Sequence, residues 1–222
     1  MLLLSKIKKG LIILKNDNKD SLSRHLLSEK YDNIDFYSLS GKSVSLTTLG
    51  NTIPLQDIND FENTLKEHNI NFSKHDIEGK IQASDGEFFT LITLVVHSQV
   101  LTSILTGMSP AITWDAIKYF SKKSWESIKG KTYNKYSNGS IEEKQITFSI
   151  EAKIHNNSYI FNFKDVDPEN TDVALDKILD FFKEQNTESW KTYIAQYEES
   201  SEKWKAEDLN DLVDQIKNEE ID

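Results

Sequence analysis

The chain has 222 residues, 37% of them hydrophobic, with 36 acidic and 26 basic side chains and a net charge of −10. That length can bury a real core. The absence of cysteine excludes disulfide scaffolds, thiolate nucleophiles and cysteine-ligated metal centres, and suits a reducing compartment. Net negative charge, with Arg24 as the sole arginine, argues against nucleic-acid binding, which depends on neutralising phosphates.

From the N-terminus, the apolar pieces of residues 1–14 are interrupted by lysines and too short for a signal-peptide core, so no export is expected. Leu11 to Leu14 reads as a short strand. Phe36 to Leu49, with alternating Val44, Leu46 and Thr48, reads as another. Within it, Ser40-Gly41-Lys42-Ser43 resembles the end of a phosphate-binding loop. Phe36 stands where that loop needs a glycine, so the backbone could not close round a phosphate. Pro54 opens a helix whose Leu55, Ile58, Phe61 and Leu65 share one face, and Asn69 and Asn71 end it. Asn71 to Ala83 is extended.

Phe88 to Trp114 holds 27 consecutive residues without Asp, Glu, Lys or Arg. The pattern predicts a very apolar central helix over 88–106, a break at Thr106-Gly107-Met108-Ser109-Pro110, and a second helix from Pro110 to Ile128. The alternative is a membrane anchor through residues 88–114, with Lys118 to Lys135 meeting anionic headgroups. His97, Ser98 and Gln99 in mid-segment count against it. Gly130 to Lys144 reads as a polar linker or a hairpin, with Asn138-Gly139 as a turn signal. Ile146, Phe148, Ile150, Ala152 and Ile154 alternate with polar residues, as do Tyr159, Phe161 and Phe163, which predicts a β-hairpin. Thr171 is placed as the N-cap of a helix that buries Val173, Leu175, Ile178, Leu179 and Phe182.

Residues 165–222 carry 18 Asp and Glu against 6 Lys, whereas residues 1–164 carry 18 acidic and 20 basic side chains. The expected organisation is therefore an α+β body over residues 1–186 and an amphipathic, acidic helical extension over 187–222. Along that extension, helical spacing puts Trp190, Tyr193, Tyr197 and Trp204 on one stripe. The stripe either docks on the body or anchors a protein partner, one with a basic surface. These four residues are the candidate partner-binding set.

Motifs for chemistry are few. No serine sits in a nucleophile elbow, and the acidic pairs Glu142-Glu143 and Glu198-Glu199 are solvated rather than set in apolar surroundings. His68, His75 and Asp76 are the only combination worth testing as metal ligands, and His97 the only histidine in an apolar segment. No catalytic residue, metal or cofactor is assigned, and an enzyme with an unrecognised site remains an alternative.

The pieces Val44 to Thr48, Leu55 to Leu65, Asn71 to Ala83, Phe88 to Thr106, Gln145 to Ile154, Tyr159 to Phe163 and Val173 to Phe182 follow one another as strand, helix, strand, apolar helix, hairpin and helix. That order, over residues 40–186, resembles small α/β effector-associated accessory modules of bacterial conflict systems. The insertion at Ile117 to Lys144 and the C-terminal segment depart from it. The resemblance implies recruitment or regulation of partners rather than catalysis. The reading is thus a cytoplasmic bacterial α+β protein with a mixed sheet, acting as an adaptor, regulator or immunity-type inhibitor.

Overall fold

The computed structural model of the chain describes residues 41–77, 91–137, 140–154, 156–185 and 190–219. The strand expected at Leu11 to Leu14 lies outside them, as does Ser40. The fold is α+β. Seven strands form one mixed sheet in the order β2-β1-β3-β6-β7-β8-β9, and β4 and β5 form a separate hairpin. Their ranges are β1 Ser43–Thr48, β2 Asn71–Asp76, β3 Ile92–Val96, β4 Thr132–Ser137, β5 Ser140–Gln145, β6 Phe148–Ile154, β7 Asn157–Asn162, β8 Thr192–Glu198 and β9 Lys203–Asp208. The described helices are α1 Leu55–Glu67, α2 Ser98–Leu105, α3 Ala111–Ile128, α4 Thr171–Glu184 and α5 Leu209–Glu219.

Three parallel crossovers build the sheet: β1–α1–β2, β3–α2–α3–β6 and β7–α4–β8. Adjacent crossovers meet through the antiparallel pairs β1–β3 and β6–β7. Helices α1 to α4 all pack on one face, over Val44, Leu46, Leu94, Val96, Phe148, Ile150, Tyr159, Phe161, Ala195 and Trp204. With all four on that face, strand directions give the first two crossovers one hand and the third the opposite hand. That departs from the near-uniform right-handedness of such connections. The other face carries Ser45, Thr47, Thr93, Ser149 and Glu151 toward β1, β3 and β6. Toward β7 and β8 it carries Ile160 and Ile194, which pack with Leu209, Leu212 and Val213 of α5.

Local chemistry explains the element ends. At the end of α1, Asn69 adopts the left-handed conformation, φ 55°, which an asparagine tolerates. The Asn69 and Ile70 amides then donate back to the Lys66 and Leu65 carbonyls, and Ile70 and Leu65 are both buried. This satisfies carbonyls that the helix end would otherwise leave open. Gly107, φ 71°, performs the same turn after α2, where the sequence predicts a break.

Three expectations are corrected. The central helix over 88–106 is instead strand β3 followed by the short helix α2. The run Ile92-Thr93-Leu94-Val95-Val96 is mostly β-branched, and β3 is covered on both faces in mid-sheet, so it has no polar side to alternate. Among the described residues, the helical extension expected over 187–222 is helical only from Leu209: residues 192–198 and 203–208 are strands that pair with β7 and with each other. Thr171 is the first residue of α4 rather than its cap. Asn170 holds that position, and the Thr171 hydroxyl donates to the Asp167 carbonyl.

The β6–β7 hairpin and the helix over 111–128 form where the sequence predicts them; of the polar linker or hairpin expected over Gly130 to Lys144, residues 132–137 and 140–145 form a paired ribbon, and the Asn138-Gly139 turn lies outside the described residues.

Candidate interaction surfaces

The predicted aromatic stripe divides when it is built as strands. Tyr193, Tyr197 and Trp204 all point to the core face, because residues two or four apart share a side of a strand. Tyr193 stacks on Tyr159 with ring centroids 4.9 Å apart. Trp204 is buried edge-on against Phe161 and Phe163, and its indole N–H donates to the Ala174 carbonyl of α4 at 2.8 Å. Tyr197 packs at a tilt on Trp204. Trp190 alone is open to solvent, at 67% exposure, just before β8. Of the four, then, three are core or half-buried residues.

The basic cluster meets the acidic quarter directly. Helices α3 and α4 run antiparallel, and Lys118 pairs with Asp176 at 2.6 Å, Lys122 with Asp172, and Lys129 with Asp167 at 3.6 Å. The hydrogen bond that Lys118 donates to Asp176 holds its ammonium protonated above the ordinary lysine range, against a smaller opposing effect of burial. The groove over the first two pairs is lined by Asp115, Tyr119, Lys123 and Glu126 as well. These exposed pairs align two helices and contribute little each to stability.

His97, the residue before α2, lies on the hydroxyl-rich face. Its Nε2 is 3.5 Å from Ser45 Oγ, and Ser73 Oγ donates to Ser45 Oγ at 3.0 Å. Glu151 accepts from Ser158 Oγ at 2.7 Å and sits 3.6 Å from Lys153 Nζ. Serine, histidine and carboxylate thus share one face. As a nucleophile Ser45 is poorly placed: it is 2% exposed, and the histidine contact is at the outer limit of a hydrogen bond.

Burial, and secondarily Lys153, lower the His97 pKa below 6.5, with Glu151 opposing. Its neutral form is therefore favoured by folding. The unfolded chain binds the extra proton first, so stability is full above pH 6.5 and is lost as pH falls toward the depressed folded value. Thermal melts across this window should show the wild type losing more stability on acidification than His97→Gln. Equal slopes would contradict the buried environment.

The histidine pair on the first crossover has structural duties. His68 ends α1, and Asp76 accepts the Gly50 amide at 2.8 Å, anchoring the loop after β1. His75 lies on β2, opposite Thr47. Among the described residues no group of three potential ligands gathers round a point.

The surface that residue spacing alone did not reveal is the apolar turn between α2 and α3. Met108 is 72% exposed and Ile112 51%. From Ser98 to Trp114 no charged side chain occurs, and Ser98, Gln99, Thr102, Thr106, Gly107, Pro110 and Ala111 are exposed with them. The signal was the uncharged run itself, whose second half is surface rather than core. Strand directions place this turn and Trp190 at the same end of the sheet, where β3 and β6 finish and β8 begins. Comparison with family models, with characterised proteins and with solved structures returns no match.

Proposed function

We propose that the protein is a non-enzymatic protein-interaction module, an adaptor, regulator or immunity-type inhibitor working in the bacterial cytoplasm. The observation that carries this reading is the exposed, uncharged turn with Met108 and Ile112, joined at the same sheet end by Trp190. In a chain that is 28% charged, such a surface has the composition of an interface core, depleted in charge and supplied with methionine and an aromatic anchor. Glu184 and Asp211, from the acidic quarter, reach the same end at the close of α4 and the start of α5. The partner is accordingly a protein with an apolar centre and a basic rim. The cysteine-free composition suits the reducing cytoplasm.

Against the membrane alternative stands strand β3, set in mid-sheet within the supposed anchor. No described helix is long and apolar enough to cross a membrane, and Lys118, Lys122 and Lys129 are engaged by aspartates.

The test is affinity capture from native bacterial lysate with the wild type, with Met108→Asp/Ile112→Asp and with Trp190→Asp. These side chains are exposed, so melting temperatures should stay within about 2 °C of wild type. Recovery of the specific partner should fall tenfold or more, since truncating an interface anchor costs about 2 kcal/mol or more. Partner recovery unchanged in all variants would overturn the assignment of this surface. Truncation at Asn186 is no test, because it removes β8 and β9 from the sheet.

A further inference from the structure

Met108 carries the only sulfur atom among the described residues. The sequence holds no cysteine and two methionines, Met1 and Met108. A peroxide that reaches the folded chain therefore meets no thiolate, the side chain that would react first. The Met108 thioether is open to it. The residue is 72% exposed, and Thr106, Gly107, Pro110 and Ala111 on either side of it are exposed as well.

The turn that presents Met108 is held without its side chain. The Gly107 amide donates to the Ile104 carbonyl at 3.1 Å and the Ser109 amide to the Ser103 carbonyl at 2.8 Å, so the residues on both sides of Met108 are tied back to α2. The Ser103 and Ser109 hydroxyls share a hydrogen bond of 2.5 Å, and the Thr106 hydroxyl donates to the Thr102 carbonyl at 2.8 Å. Met108 itself belongs to neither hydrophobic cluster of the core. A chemical change at its sulfur thus leaves the backbone of the turn and the packing of the body as they are. What it alters is the polarity of the surface.

We propose that Met108 is a reversible oxidation site that governs this surface: as the thioether it permits docking, and as the sulfoxide it prevents it. The proposal rests on the reading of the turn as an interface. The step is a transfer of one oxygen atom from hydrogen peroxide. The sulfur lone pair attacks one peroxide oxygen, the S–O bond forms as the O–O bond breaks, and the second oxygen takes the proton of the first and leaves as water. Sulfur is oxidised by two electrons and the peroxide is reduced by two. The return step belongs to a dithiol reductase of the methionine-sulfoxide class, which releases the oxygen as water and is itself oxidised to a disulfide. The sulfoxide is polar and is hydrogen-bonded by water. An apolar partner centre would strip that water away and offer nothing in exchange, which is costly.

The full chain, as wild type and as Met108→Leu, is treated with hydrogen peroxide, and the peroxide is then removed. Peptide mass mapping, thermal melting and partner recovery from dialysed bacterial lysate are compared before and after. Met108 should gain one oxygen at a rate within about threefold of N-acetylmethionine amide, because access sets susceptibility. The melting temperature should move by less than about 2 °C. The partner is defined as the protein that wild type recovers and Met108→Asp/Ile112→Asp does not. Its recovery should fall about tenfold on oxidised wild type and return after treatment with the two sulfoxide reductases. Met108→Leu should recover the same amount before and after peroxide, whatever that amount is. Slow oxidation of Met108, a larger fall in melting temperature, or an equal loss of partner with Met108→Leu would each overturn the proposal. Partner lost with the aspartate pair but kept by the sulfoxide overturns this proposal alone. Recovery unchanged in both overturns the reading of the surface with it.

Discussion

Trp204→Ala should lower the melting temperature by roughly 10 °C, since deleting a buried tryptophan costs about 3–5 kcal/mol and each kcal/mol is worth about 2–4 °C at this size. Trp204 lies on the edge strand β9, yet only 5% of it is exposed. Its ring fills the space between Phe161, Phe163 and Tyr197, and its N–H ties β9 to the Ala174 carbonyl of α4. The residue therefore couples the last strand to the last crossover helix. Trp204→Phe keeps an aromatic ring and gives up the hydrogen bond, so its effect should be clearly smaller. Thermal unfolding followed by circular dichroism decides the matter. A partner anchor would show the reverse, with an unmoved melting temperature and lost binding, and a shift below about 2 °C would contradict the core assignment.

Val95→Asp should abolish soluble, folded protein at neutral pH. Val95 sits on β3 in mid-sheet with 1% exposure, between Ser45 of β1 and Glu151 of β6. A new carboxylate there is desolvated and faces a second, buried carboxylate, a combination that costs more than about 4 kcal/mol. The sign of its pH dependence follows. The aspartate pKa in the folded state is raised above its unfolded value, so the destabilisation is full at neutral pH and is relieved as pH falls. Val95→Lys should be less damaging than Val95→Asp, because its ammonium group meets Glu151. Val95→Thr should be the mildest, matching the shape of valine among Ser45, Thr93 and Ser149. Soluble yield and urea midpoints order the three. Normally folded Val95→Asp protein would mean that this strand is not central.

Periodicity was legible wherever one side of an element faces solvent. The α1 positions Ile58, Phe61 and Leu65, and the alternation of Ile150 and Ala152 with Ser149 and Glu151, followed from spacing alone. The break at Gly107 and the stop at Asn69 were legible because few residues turn left-handed without strain. Two segments misled for opposite reasons. Ile92 to Val96 has no polar side, so a strand covered on both faces reads like a piece of buried helix. Tyr193 and Tyr197 are four apart, a spacing that puts two residues on one side under either the helical or the strand period. Their aromatic and β-branched neighbours favoured the strand.

The sequence by itself determined the α+β class, the crossover helices α1, α3 and α4, the β6–β7 hairpin, and the contrast between a near-neutral body and an acidic final quarter. These depend on local periodicity, turn chemistry and charge, which a short window contains. The tertiary structure alone decided that residues 192–208 complete the sheet, that Trp204 is core, and that Lys118 and Lys122 of α3 are matched by Asp176 and Asp172 of α4. It also decided that the uncharged run divides into a buried strand and an exposed turn. Each of these depends on which segments lie side by side: β8 is a strand because β7 offers it a ladder, and Met108 is surface because no described element packs over the turn after α2.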